Sequence, residues 1–174
     1  MNSVKLYIPK AEDMWFRAEC MADPATMSYN AGYDVSYSGY HYDTGCIDFP
    51  KENWLNWYNT KISDPTFYYA YILDENTNDF VGYVNYKMDT LTKSASMGIV
   101  INAKYRGCGY MRPAMAEFIK TAKQNGVKTL TDTVPVSRSS ALKVFFDCGF
   151  VITNEIEGIK FNKPDLVYEI ELEL

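Results

Sequence analysis

The chain of 174 residues has few side chains that bind transition metals. It contains a single histidine, His41, and four cysteines that lie far apart and form no Cys-x-x-Cys pair. A structural zinc site needs four clustered cysteine or histidine ligands. We therefore expect no metal, and we expect free thiols of the kind found in a reducing, cytoplasmic setting.

A basic excess and a long apolar run are also missing. There are 17 basic and 22 acidic residues, which give a net charge of -5, whereas nucleic-acid-binding domains usually show a basic excess. No run of about 18 apolar residues is present, and the residues from Met1 to Lys10 lack a signal-peptide pattern. We expect neither nucleic acid nor a membrane as a partner. Any phosphate site is then expected to be local and built from backbone amides.

The composition and the periodicity together indicate one globular domain over residues 1–174. Hydrophobic residues make up 47% of the chain and charged residues 22%, so it can bury a sizeable core. The segment Asp23–Phe49 shows no period and is predicted to be a long functional loop. Predicted helices cover Ala11–Met21 and begin near Pro50, at Met111 and after an N-cap at Ser137. The order is β-α-α-β-β-β-α-β-α-β-β, with predicted strands at Val4–Ile8, Phe67–Leu73, Phe80–Lys87, Ser96–Ile101, Lys128–Val134, Phe150–Ile156 and Leu166–Leu172.

The most informative segment is a basic, glycine-bearing turn between a predicted strand and a predicted helix. It contains Arg106, Gly107, Gly109 and Arg112. Glycines let a ligand approach the backbone, and the free N–H groups at the start of a helix bind anions. The two arginines add charge-assisted hydrogen bonds to phosphate. The turn therefore predicts a phosphate site within an acidic protein.

Two other phosphate motifs fit this turn less well. Gly107-x-Gly109-x-x-Arg112 resembles a dinucleotide fingerprint, and Asp132 lies about where its ribose-binding acid belongs. However, the third glycine is an arginine, and only one β-α-β unit surrounds the turn. A P-loop requires Gly-Lys-Ser/Thr after its glycines, and the chain has none there.

The sequence Arg106-x-x-Gly109 resembles the Q/R-x-x-G-x-G/A pyrophosphate motif of the GNAT acetyltransferase superfamily. Leu130–Val134, Ala141–Phe145 and Gly149-Phe150 extend the resemblance over essentially the whole chain. It implies a single mixed α/β (α+β) domain with a mostly antiparallel, splayed central sheet and about four flanking helices. It also implies that acetyl-CoA is wedged where the strands that carry Ile101 and Asp132 part.

The resemblance implies a set of cofactor-binding residues as well as three departures from the family. Met111 replaces a small residue, Arg138 replaces an asparagine that contacts pantetheine, and Phe145 replaces a proton-donating tyrosine. The implied contacts with pantetheine and pyrophosphate come from Ile99, Val100, Ile101, Arg106, Gly107, Cys108, Gly109, Tyr110, Met111, Arg112 and Arg138.

An amine acceptor needs a group that removes its proton before it attacks a thioester. The predicted strand before the turn has no acidic residue, so Asp132 on the next strand is the first candidate, and His41 is the second because it titrates near neutrality. Aromatic rings and carboxylates in the long loop suit an ammonium group, although they also suit a small core under the loop. The candidate substrate-binding residues there are Tyr33, Asp34, Tyr37 and Tyr40.

These observations favour transfer of an acetyl group from acetyl-CoA to a primary amine of a small molecule in a ternary complex. A protein N-terminal or lysine acetyltransferase is the first alternative. A non-catalytic acyl-CoA sensor is the second, because Phe145 lacks a proton to donate. The acceptor and the acyl chain preference stay open, as does the oligomeric state, for which a homodimer is one expectation.

Overall fold

The computed structural model describes residues 2–174, and a seven-stranded sheet runs through them. Five helices accompany it: α1 (Met14–Ala22), α2 (Pro24–Met27), α3 (Trp54–Ile62), α4 (Met111–Gln124) and α5 (Ser139–Asp147). The strands are β1 (Val4–Tyr7), β2 (Phe67–Asp74), β3 (Phe80–Met88), β4 (Ser94–Ile101), β5 (Thr129–Pro135), β6 (Val151–Lys160) and β7 (Lys163–Glu173).

The strands lie in the order β1-β2-β3-β4-β5-β7-β6. Neighbouring strands are antiparallel except β4 and β5, which run parallel. The predicted mixed α/β fold with a mostly antiparallel sheet is confirmed. None of the helices within residues 2–174 is long and apolar enough to cross a membrane.

Side-chain alternation along β2 separates two apolar cores on opposite faces of the sheet. Ala70 and Ile72 join the core beneath α4 and α5, whereas Tyr69 and Tyr71 join the core beneath α1 and α3. This follows because successive side chains of a strand point to opposite faces. Helix α4 completes the first core with one buried face, made of Ala114, Met115, Phe118 and Ala122.

The structure corrects two local predictions. The segment Asp23–Phe49 has regular structure after all, since α2 forms within it. The Asp23 carboxylate accepts hydrogen bonds from the backbone N–H groups of Ala25 and Thr26, and Pro24 occupies the first helical position. Ser137 is not the N-cap of α5, because that position belongs to Arg138, which makes no side-chain cap.

The short parallel contact between β4 and β5 prepares the site. The two strands pair only from Ser94 to Ser96 on β4 and from Thr129 to Thr131 on β5. Beyond these residues they diverge, while β3 continues to pair with β4 as far as Ile101. The outer edge of β4 therefore has backbone groups with no strand beside them, and such groups seek another partner.

Replacing Gly82 by alanine should lower the free energy of unfolding by about 1–3 kcal/mol, a typical cost of overpacking. A Cβ atom at this position in β3 would lie 2.2 Å from the Val100 carbonyl oxygen. The matched control is Gly158→Ala in β6, where the nearest atoms lie at 3.4 Å and we expect little loss. Urea denaturation compares the two variants. Equal stabilities would show that β3 and β4 are not packed this closely.

Candidate active site

A cavity of about 1030 Å³ opens where β4 and β5 diverge. Its walls come from the end of β4, the turn into α4, Asp132 of β5 and the first turns of α5. All eleven residues predicted to bind the cofactor line this cavity, together with Asn2, Tyr29, Tyr105, Pro113, Ala116, Asp132, Ser137, Ser139, Ser140, Ala141, Val144 and Phe145.

The turn between β4 and α4 presents bare backbone to this cavity. Gly107 and Gly109 have positive φ angles of 75° and 86°, a backbone conformation that residues with a Cβ atom rarely adopt. An ideal Cβ built on either glycine would meet no atom within 4 Å. The space in front of the turn is therefore open, and the start of α4 directs its free N–H groups there. This arrangement fits a pyrophosphate group.

Arg106 fixes the turn against α2 by hydrogen bonds to main-chain carbonyl groups. Its guanidinium donates to the carbonyl oxygens of Ile101 at 3.1 Å, Ala25 at 2.8 Å and Thr26 at 2.6 Å. The buried Thr26 hydroxyl also accepts from the backbone N–H of Ala103 at 2.8 Å. The predicted loop thus supports the turn from behind, and much of the hydrogen-bonding capacity of Arg106 is used within the protein.

The other residues of the turn are also fixed by contacts. The Tyr110 hydroxyl donates to the Asp74 carboxylate, which raises the pKa of Tyr110 to about 12. Arg112 forms an ion pair with Asp147 at the end of α5. This pair connects the two helices that border the cavity.

Asp132 is the one acidic side chain that lines the cavity among residues 2–174. Burial raises the pKa of this carboxyl group to about 7. A hydrogen bond of 2.8 Å from the Thr133 backbone N–H and the charge of Arg138 oppose the effect of burial. A carboxyl group with a pKa near neutrality is suited to accept and release protons.

Arg138 and Tyr29 lie together on the wall next to Asp132. The guanidinium carbon of Arg138 stands 5.2 Å from the centre of the Tyr29 ring, which is a cation–π contact. Burial raises the pKa of Tyr29. Tyr29 is not among the site residues that the sequence predicts. It stands two positions after α2, so only the docking of that helix directs it into the cavity.

Phe145 reaches the cavity from α5 and is almost fully buried. Its ring packs edge-on against Phe150 with centroids 5.1 Å apart. The ring has no proton to donate, so this position does not supply an acid.

The structure does not bring the other predicted catalytic and substrate-binding residues to the cavity. His41 is exposed, and its Nε2 atom lies 2.9 Å from Asp48, a contact that raises the pKa of the imidazole. Asp34 and Tyr37 are exposed. The Tyr40 hydroxyl lies near the main-chain oxygens of residues 30 and 33. Their roles in catalysis or substrate binding stay predictions.

The long loop instead docks on the hairpin formed by β6 and β7. Tyr33 donates a hydrogen bond to Asp165, and the Phe161 backbone N–H donates to the Gly32 carbonyl oxygen at 2.8 Å. Tyr42 packs edge-on against the Phe161 ring. These contacts attach the loop to the hairpin, while Tyr37 and Tyr42 stay exposed.

A model of the Acetyltransferase (GNAT) family matches residues 31–150 of the chain. The match covers more than half of the sequence and includes β4, the glycine turn, Asp132 and Phe145. The chain therefore belongs to this family and is an acyltransferase. No curated protein matches the sequence.

Solved structures with the same fold span nearly the whole chain. One is spermidine N-acetyltransferase from Vibrio cholerae in complex with CoA and spermine, with a TM-score of 0.80, 17% identity and coverage of 98% of this chain and 95% of that one. Another is a provisionally assigned acetyltransferase from Acinetobacter baylyi ADP1, with a TM-score of 0.74, 17% identity and coverage of 100% and 93%. At such identities the likeness concerns the fold.

Replacing Arg106 by glutamine should lower the free energy of unfolding by about 1–3 kcal/mol, because it removes hydrogen bonds to three main-chain carbonyl groups. The control is Lys104→Gln, an exposed change in the same turn that should cost less than about 0.5 kcal/mol. Urea denaturation at pH 7 measures both. If Arg106→Gln were as stable as the control, Arg106 would not fix the turn against α2.

Proposed function

We propose that the protein transfers an acetyl group from acetyl-CoA to a primary amine of a small molecule, by direct transfer within a ternary complex. The observation that carries this proposal is the open glycine turn at the divergence of β4 and β5, in a cavity that is also lined by a carboxyl group with a pKa of about 7. The V. cholerae relative in its complex with CoA and spermine supports a small amine as the acceptor class.

Different groups of residues along the cavity are proposed to bind different parts of acetyl-CoA. Backbone amides from Gly107 to Arg112 hold the pyrophosphate at the positive end of α4. The unpaired edge of β4, from Ile99 to Ile101, hydrogen-bonds the pantetheine arm. The resemblance adds a contact between Arg138 and the pantetheine arm. When bound, the thioester supplies an activated acetyl carbonyl group.

Asp132 is proposed to remove the proton from the acceptor ammonium group. The neutral amine then attacks the acetyl carbonyl carbon, a C–N bond forms, and the C–S bond breaks as the thiolate leaves. The nitrogen gives up a second proton when it becomes the amide, and this proton restores the one that the thiolate takes from its donor. The thiolate needs a proton, and Phe145 has none to give. Tyr29 is our candidate donor, because it lines the cavity and carries a hydroxyl group that is protonated at neutral pH.

The sequence also left open a non-catalytic acyl-CoA sensor, because Phe145 has no proton to give, and membership of an acyltransferase family argues against it. A sensor binds acetyl-CoA without releasing thiol in the presence of amines. Thiol release above the rate without acceptor, measured across a panel of small amines, therefore distinguishes the two candidates. A purified peptide with a free N-terminus in the same panel tests the protein-acetyltransferase alternative.

Acetyl-CoA should stabilise the wild-type protein by about 2.7 kcal/mol at 100 times its dissociation constant. Gly109→Val should abolish most of this effect, because the branched side chain fills the space before the turn. Gly126→Val is a matched control, since Gly126 also has a positive φ and open space before it but lies outside the cavity. Thermal unfolding with and without acetyl-CoA measures all three. A ligand shift in Gly109→Val equal to that in Gly126→Val would place the anion site elsewhere.

The activity should rise with pH and level off above about pH 7. The base must be ionised, and burial raises the pKa of Asp132 to about 7, so protonation removes the base as the pH falls. Well below this pKa, kcat/KM should fall about tenfold per pH unit. Asp132→Asn should reduce kcat/KM by about 100-fold or more and remove this inflection.

The matched control for this profile is Glu155→Gln on the exposed edge strand, which should keep the wild-type dependence. Steady-state kinetics of the three proteins are measured from about pH 5.5 to about pH 9, a range that spans the pKa of Asp132. An unchanged inflection in Asp132→Asn would assign the titration to another group.

A further inference from the structure

The cavity is lined by three cationic side chains and one anionic side chain. They are Arg106, Arg112, Arg138 and Asp132. Arg106 donates to three main-chain carbonyl groups, and Arg112 is paired with Asp147. Two of the three cations are thus engaged within the protein, which leaves Arg138 as the arginine to be explained.

The guanidinium of Arg138 has neither an ion pair nor a side-chain hydrogen bond with residues 2–174. It is half-buried in the wall and covers the face of the Tyr29 ring. The charge of Asp132 opposes the lowering of its pKa by burial, but the two side chains form no ion pair. Guanidinium is always charged at neutral pH and presents five N–H donors in a plane. A cation so placed, with its donors free and partly removed from water, favours an anionic ligand.

The acidic groups that would attract a polycation lie elsewhere. Asp34 is exposed, and Asp48 is paired with His41 on the loop that docks on the β6–β7 hairpin. The cavity therefore offers a single carboxyl group close to an unpaired arginine. This pattern is complementary to a molecule that carries one amine and one carboxylate, and it is poorly complementary to a chain of several ammonium groups.

We propose that the acceptor is an amino acid, whose carboxylate is bound by the guanidinium of Arg138 while its amine faces Asp132. This inference rests on the proposed function and specifies its substrate class. The planar guanidinium matches a carboxylate bidentately, and this would orient the amine towards the acetyl carbonyl carbon. Tyr29 supports the guanidinium from behind by the cation–π contact.

The experiment measures thiol release from acetyl-CoA with matched acceptors. The panel contains the common amino acids, their carboxamides and their decarboxylated amines, including ornithine with putrescine, and spermidine as a polyamine. The proteins are wild type, Arg138→Gln, Arg138→Lys and a control, Lys143→Gln, which removes a charge from the exposed face of α5, the helix that Arg138 precedes. Binding of acetyl-CoA to each protein is measured separately by thermal shift.

Wild type should use at least one amino acid about 10- to 100-fold more efficiently than its carboxamide and its decarboxylated amine, the range expected for hydrogen bonds to a charged group. Arg138→Gln should lose this preference, and because acetyl-CoA binding is measured separately, any weaker cofactor binding is distinguished from the lost preference. Arg138→Lys should restore part of the preference, since it keeps the charge but not the planar geometry. Lys143→Gln should behave as wild type.

Three results would overturn the inference. A wild-type preference for decarboxylated amines or spermidine would refute the binding of an acceptor carboxylate by Arg138, while leaving the proposed function intact. Equal losses in Arg138→Gln on all acceptors, with the preference for the amino acid retained, would assign Arg138 to the cofactor alone. Absence of acetyl-CoA binding, or of thiol release with every acceptor, would refute the proposed function and this inference with it.

Discussion

The site depends on the point at which β4 and β5 stop pairing. Three residue pairs join these strands, and beyond them each strand is held only from its other side, β4 by β3 and β5 by β7. A strand edge left without a neighbour must satisfy its backbone groups in another way. The divergence therefore creates the cavity and supplies one wall of it with free hydrogen-bonding groups. The glycine turn and Asp132 lie on opposite sides of the same opening.

The second requirement is a rigid turn, and α2 provides the support for it. Asp23 caps this single-turn helix, and Thr26 and Arg106 connect its end to the turn after β4. Arg106, which the sequence motif assigns to phosphate binding, thus holds the turn in place through hydrogen bonds to main-chain carbonyl groups. An anion site formed by backbone N–H groups needs such support, because its donors are effective only when they are held in one orientation.

The electrostatics of the cavity differ from those of the whole chain. The protein carries a net charge of -5, yet cationic side chains outnumber anionic ones along the cavity walls. Burial acts on both signs there, since it raises the pKa of Asp132 and lowers that of Arg138. The bulk charge therefore says little about the ligand, and the local arrangement suits an acceptor that has both signs of charge.

The sequence by itself determined the order of strands and helices, the glycine turn and the family resemblance. These are local properties: alternation and helical spacing come from nearby residues, and the positive φ of Gly107 and Gly109 is a property of the turn itself. The short helix α2 is also encoded locally, by the Asp23 cap and Pro24, although no apolar period marks it. The tertiary structure alone decided which side chains share the cavity. His41, Tyr33, Tyr37 and Tyr40 are separated from it because their loop docks on the β6–β7 hairpin, whereas Tyr29 and Arg138 meet there. Such meetings depend on contacts between residues more than 100 positions apart in the chain, and no local pattern encodes them.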